Sequence, residues 1–149
     1  VAVLKSQVGV RELTGRNDGP RVQAYLKAVG LQGNWPWCAA FVVWCIKQVG
    51  LTPNANGAAR SFFTPKTKIW PGVPGAAPPQ PGDPLGFRFI RKDIDHVGEI
   101  IIWGTTPMCE TIQGNTSGKK ADRDGQGVYD KYVLKSQVAE VADLMKCLK

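Results

Sequence analysis

WPWCAAFVVWCIKQVG, residues 35–50, is the stretch on which the fold turns. Its apolar residues fall at 38, 41, 42, 45, 46 and 49, the spacing of a helix face buried in a core. Val43 and Trp44 widen that face until the helix is nearly surrounded, and Gly50 ends it. Cys38 stands where the Trp-Pro-Trp loop becomes the first helical turn. The unpaired backbone N–H groups and the positive dipole end favour a thiolate there, and the same N–H groups can receive the charge of a tetrahedral intermediate. A plain core cysteine fits the position as well, which is the reading for Cys45 two turns further on.

Upstream, Ala2, Leu4 and Val8 fit a short helix within 1–10. GRNDGP at 15–20 is a turn-rich loop in which Asp18 is the expected cap and Pro20 suits the first turn of a helix. Val22, Tyr25, Leu26 and Val29 give that helix its apolar stripe, and Gly30 stops it. Downstream, residues 51–84 read as loop apart from a short helix around 58–63. PGVPGAAPPQPGDP at 71–84 holds six prolines and three glycines and reads as a rigid surface connection.

The second half is strand-rich. VGEIIIW at 97–103 and MCETIQ at 108–113 flank GTTP at 104–107, which predicts an antiparallel hairpin. GVYDKYVL at 127–134 is a further strand after the DRDGQG turn, and 138–148 reads as a terminal helix. VLKSQV occurs at both 3–8 and 133–138, but the flanks differ and no structural repeat follows. The expected fold class is α+β, with N-terminal helices packed on a small antiparallel sheet in one domain spanning 1–149.

Composition agrees with a folded globular chain: 149 residues, 43% apolar and 21% charged. No run reaches the roughly 18 apolar residues that cross a bilayer, so no integral membrane association is expected. The start meets Lys5 and Arg11 too soon to resemble a signal peptide, and the missing methionine leaves a removed export signal open. The net charge of +7 favours anionic partners such as wall polymers or headgroups. The basic residues Lys66, Lys68, Arg88, Arg91, Lys92, Lys119 and Lys120 are scattered. No zinc-finger spacing, phosphate loop or basic helix organises them, so nucleic acid is not an expected partner.

Four cysteines permit two disulfides without requiring them. Cys38 and Cys45, seven residues apart on one helix, would be about 10 Å apart, beyond the roughly 7 Å limit for a bridge. With a single histidine and no Cys-x-x-Cys pair, zinc is not expected. A cysteine nucleophile needs a base, and His96 in DIDHVGEI is the sole imidazole. If the hairpin closes with 103 opposite 108, position 98 faces 113 and 96 faces 115. Alternation then sets Gln113 and Asn115 beside His96, with small Gly98 leaving room between them. It sends Glu99 and Glu110 to the opposite face. Asp93 and Asp95 shape the loop before the histidine.

WPWCAAFVVWC at 35–45, PGDPLGF at 81–87, DHVGEI at 95–100 and ETIQGNTS at 110–117 together resemble the CHAP family. These are cysteine, histidine-dependent amidohydrolases/peptidases with a papain-like core, related to the NlpC-type enzymes. The resemblance runs from VGVRELTGRNDG at 8–19 to DGQGVYDKY at 124–132. It implies peptidoglycan as substrate, cut either as an N-acetylmuramoyl-L-alanine amidase or as a stem or cross-bridge endopeptidase. Family members serve as phage endolysins, autolysins or secreted wall hydrolases. A chain of this kind acts at the bacterial cell wall after export, phage release or delivery, as a monomer, and in the delivered case with a cognate inhibitor or immunity protein. Cys38 then matches the nucleophile, His96 the base and Asn115 the asparagine of the family's Glu-Gly-Asn stretch. Gln113 stands where that stretch has glutamate. Some members bind calcium, but Asn17, Asp18, Asp122 and Asp124 form no calcium-loop signature, and no cofactor or metal is expected. Trp35, Trp37 and Trp70 are candidates to line a substrate groove, with packing in the core at least as good a reading for each. A non-catalytic wall-binding module and an amidase for a small amide, such as a polyamine conjugate, are the competing readings.

Overall fold

The computed structural model describes residues 1–118 and 126–149. Three helices, α1 (Ala2–Gln7), α2 (Pro20–Ala28) and α3 (Cys38–Gln48), precede a mostly strand-bearing remainder. The strands are β1 (Lys68–Trp70), β2 (Pro84–Phe87), β3 (His96–Ile102), β4 (Met108–Thr116), β5 (Gly127–Leu134) and β6 (Glu140–Ala142). They form one antiparallel sheet in the order β1-β6-β2-β3-β4-β5. The class is therefore α+β, as the sequence pattern predicts. No helix among the described residues is long and apolar enough to cross a membrane.

The helices share a core that Tyr25 ties together. Its ring stacks on Trp37 and meets Phe41 and Trp44 edge-on, while its buried hydroxyl donates to Gln7 Oε1 at 2.8 Å. The α3 residues Cys38 to Val43 are all buried, together with Cys45 and Ile46, as a nearly surrounded helix requires. That core continues onto one face of the sheet through Val97, Ile101, Ile112 and Val128. The other face buries Leu85, Phe87, Ile100, Cys109, Val133 and Val141 under Ile69 and Val138. A strand's alternation thus divides β3: odd positions face α3, even positions face away.

Four sequence expectations change. Asp18 does not cap α2; Gly19 holds that place with φ of 108°, a left-handed angle that suits glycine. Asp18 instead closes the preceding loop, accepting from the Thr14 N–H at 2.9 Å and hydroxyl at 2.6 Å. Residues 138–148 do not form a helix. Val141 pairs in the sheet with both Leu85 and Trp70, and Asp143 then caps a short 3-10 turn by accepting the Met145 N–H at 2.9 Å. An open sheet edge outcompetes the helical spacing of this segment, and the same pairing makes a strand of Lys68–Trp70, read from sequence as loop. Finally, the hairpin keeps the predicted register inside, pairing Glu99 with Ile112 and Ile100 with Thr111. A bulge then moves Ile102 onto Glu110, leaving Trp103 outside the strand. Residues 122–125 of the DRDGQG turn at 122–127 lie outside the described residues.

Glu99 faces α3 inside the core, near Cys45, Asp83 and the Val1 amine. It is 3% exposed, and its Oε2 has no hydrogen-bond partner. Burial pushes its carboxyl up from 4.5 to about 8. The folded chain keeps this proton where the unfolded chain has released it, so the contribution to stability is full below pH 4.5 and is lost as pH rises through about 8. Urea unfolding of Glu99→Gln across that window provides the check. The variant should gain on the wild type as pH rises, on the order of a few kcal/mol by the top of the window. A difference independent of pH would show that the carboxyl is not held protonated.

Candidate active site

Cys38 opens α3 directly after Trp37, whose side chain makes no cap hydrogen bond to the helix. Trp37 turns inward instead, fully buried, and its indole N–H donates to Glu12 Oε1 at 2.8 Å. It is a core residue and not part of a groove, the second of the two readings its sequence position allows. Glycine at 114 makes the close docking of α3 possible. A Cβ there would lie 2.8 Å from both Phe41 Cγ and Trp37 Cζ3, inside contact distance.

All four cysteines are buried, and none is in a disulfide. Three of them are chemically quiet. Burial raises the Cys45 thiol far above its ordinary value, raises Cys109, and pushes Cys147 up to about 12. Cys109 and Cys147 donate their S–H to the backbone carbonyls of Val133 and Phe62 at 3.7 and 3.6 Å. Cys38 differs from these in lining a cavity of about 250 Å³ with Leu31, Trp35, Arg60, Arg91, Ile94 and Asp95. The helix start and the segment entering β3 therefore form the walls of one space.

His96, the first residue of β3, is fully buried beside the stacked rings of Phe87 and Phe89, with centroids 5.9 and 5.5 Å away. Its Nε2 lies 3.0 Å from Gln113 Oε1. The polarity of that bond is set further along. Thr111 gives its hydroxyl proton to the Lys131 carbonyl at 3.1 Å and so can only accept from Gln113, whose Nε2 donates to it at 2.9 Å. The amide oxygen is thereby turned to the histidine, where it can only accept. His96 Nε2 must carry the proton, which leaves Nδ1 as the basic nitrogen of the neutral ring. Gly98 makes room for this arrangement, since a Cβ there would lie 2.6 Å from Gln113 Cγ.

Asp95 fixes the loop that leads into His96. Its carboxylate accepts the backbone N–H groups of Phe89, Ile90 and Arg91 at 2.8 to 3.0 Å. Asn115 also lies in the interior, fully buried, at a β4 bulge with φ of 55°. Neither polar atom of its side chain has a hydrogen-bond partner. A buried left-handed asparagine with both amide atoms unsatisfied carries a cost in strain and desolvation. Gln113, not Asn115, is thus the one of the two that hydrogen-bonds His96. His96 and Gln113 sit on the sheet face turned away from the body of α3, by the pairing of His96 with Phe87 and the packing of Phe87 in the second core.

Among the described residues no group of three or more His, Cys, Asp or Glu side chains could hold a metal ion. Asp122 and Asp124 lie outside the described residues. Of the other tryptophans named from sequence, Trp35 is 54% exposed at the Cys38 cavity, whereas Trp70 packs edge-on against Trp103, 5.3 Å away at a separate groove. Arg60 and Arg91 are cavity residues that the sequence did not single out; only the folded loops bring them to Cys38.

Gly98→Ala would drive its methyl into Gln113 and disturb the imidazole contact. Overpacking of this kind costs about 1–3 kcal/mol, readable in urea unfolding, and should shift the His96 ring resonances in NMR. Unchanged stability and unchanged resonances would mean that the amide is not wedged in place. No model of a known protein family matches the chain, and no curated protein matches it either.

Proposed function

We propose that this chain is a cysteine amidohydrolase of the CHAP type, with a papain-like arrangement of helix and sheet, that cleaves an amide bond of peptidoglycan. The observation that carries the reading is the His96–Gln113 bond at 3.0 Å, with its polarity fixed by Thr111, at the strand end that shares a cavity wall with Cys38. The choice of peptidoglycan rests on the sequence resemblance, and the net charge of +7 suits an anionic wall.

In this mechanism His96 Nδ1 takes the proton from the Cys38 thiol, and sulfur adds to the scissile carbonyl carbon. The backbone N–H groups of the first turn of α3, which no cap side chain engages, stabilise the oxyanion. Collapse of the intermediate breaks the C–N bond, and the imidazolium gives its proton to the leaving amine. Water, deprotonated by the same Nδ1, then opens the thioester to release a carboxylate and restore the thiol. Gln113 holds the ring by an amide and so supports the imidazolium less than a carboxylate would. The imidazole belongs to the face away from α3, so in this mechanism the thiol reaches it past the end of β3 and not through the sheet.

Digestion of purified wall sacculi tests the proposal. The wild type should release soluble fragments and expose new amine groups, Cys38→Ala should release none, and Gln113→Ala should be slowed on the order of 10–100-fold, with a displaced pH profile. Iodoacetamide should label Cys38 ahead of the other three thiols. Equal fragment release by wild type and Cys38→Ala would sink the proposal.

A further inference from the structure

The cavity beside Cys38 has a composition that the hydrolase reading does not use. Leu31, Pro36 and Ile94 give the lining an apolar part, Trp35 adds an exposed indole, and the exposed residues Arg60 and Arg91 stand on its rim. Two arginines beside one cavity give it a positive bias unless anions match them. One carboxylate, that of Asp95, stands in the lining against the two arginines. Both carboxylate oxygens of Asp95 already accept backbone N–H groups from Phe89, Ile90 and Arg91. Asp93 meets Arg60 at 3.7 Å, with the two side chains 61% and 68% exposed, a loose surface pair of small worth. No ion pair engages Arg91 among the described residues. Its backbone, in contrast, is pinned by the Asp95 carboxylate at 3.0 Å, so the side chain starts from a fixed point on the cavity rim.

We infer that this cavity is a subsite for a free carboxylate on the substrate, held by Arg91 and Arg60, so that the chain prefers a peptide bearing an unmodified acidic group next to the bond presented to Cys38. Guanidinium groups suit this task, because their fixed fork of N–H donors matches the two carboxylate oxygens. The volume of about 250 Å³ lies below the ~300–1,000 Å³ of pockets that enclose a whole small molecule. It takes one residue or side group of a longer chain and leaves the rest outside. Trp35, whose indole N–H is already used on Gln32 O at 2.8 Å, offers its ring face to the aliphatic part of that residue. The inference rests on the proposed hydrolase reading for its substrate, but its recognition step does not require turnover.

The test uses the Cys38→Ala protein, which cannot cleave, and calorimetric titration with a synthetic wall stem peptide in two forms. One has its carboxylates free, and the other has each converted to the primary amide. The free acid should bind about tenfold more tightly, the amount one charge-assisted contact supplies. Adding Arg91→Gln should abolish the difference, and Arg91→Lys should restore part of it, with unchanged thermal melts showing that these exposed substitutions leave the fold intact. Equal binding of acid and amide, or no binding of either, overturns the inference. Sacculus digestion by the wild type is scored separately. Discrimination by Cys38→Ala alongside an inert wild type would keep the carboxylate site and end the hydrolase reading; an active wild type without discrimination would do the reverse.

Discussion

The absence of a side chain at position 114 governs the geometry of this molecule. With no Cβ on β4, the rings of Trp37 and Phe41 settle directly on the strand backbone, and any larger residue would lift α3 away. Trp37 immediately precedes Cys38, so the seat of its ring also fixes where the helix begins. The same strand carries Gln113 on its other side, one residue away. A single close approach therefore couples the position of the thiol to the position of the amide that holds His96, although the two lie on opposite faces of the sheet.

The polar interior follows a comparable economy. Lys131 carbonyl, Thr111 hydroxyl, Gln113 amide and His96 imidazole form a chain in which each donor has one available acceptor. Its direction is imposed by the backbone at one end and felt by the ring nitrogen at the other. A carboxylate at 113 could accept from Thr111 only by drawing its hydroxyl proton away from the Lys131 carbonyl, and would add charge in a place with no exposure to solvent. The amide gives up that electrostatic support and in exchange needs no buried counter-charge.

Much of this was legible in the sequence, for reasons tied to particular residues. Alternation and the GTTP turn put Gln113 beside His96 because a hairpin of short loop has few registers, and the bulge at Ile102 lies beyond the site. The helical spacing from Cys38 to Val49 is unambiguous because the element is buried almost all round. The C-terminal segment was not legible, since its apolar spacing fits a helix and only the presence of an open edge on β2 makes it a strand. VLKSQV shows the limit most plainly. At 3–8 it lies largely in α1, and at 133–138 it ends β5 and makes a 3-10 turn. Identical local preferences yield to what each copy packs against. Arg60 and Arg91 are thirty-one positions apart in the chain, and no pattern links them until the loops close.

The place of β6 has a consequence for how the chain reaches this state. Its three residues lie between β1 and β2, so two strands separated by the proline-rich loop are joined only through a segment near position 140. Until that segment is available, β2 shows a bare outer edge and β1 has nothing to pair with, while the hairpin of β3 and β4 can already form from neighbouring residues. Synthesis in the N-to-C direction would thus complete the helix–hairpin unit first and leave a sticky strand exposed to other chains for the interval. Assembly of the finished sheet is a late, long-range event, and crowding during that interval is when the chain is most open to mispairing.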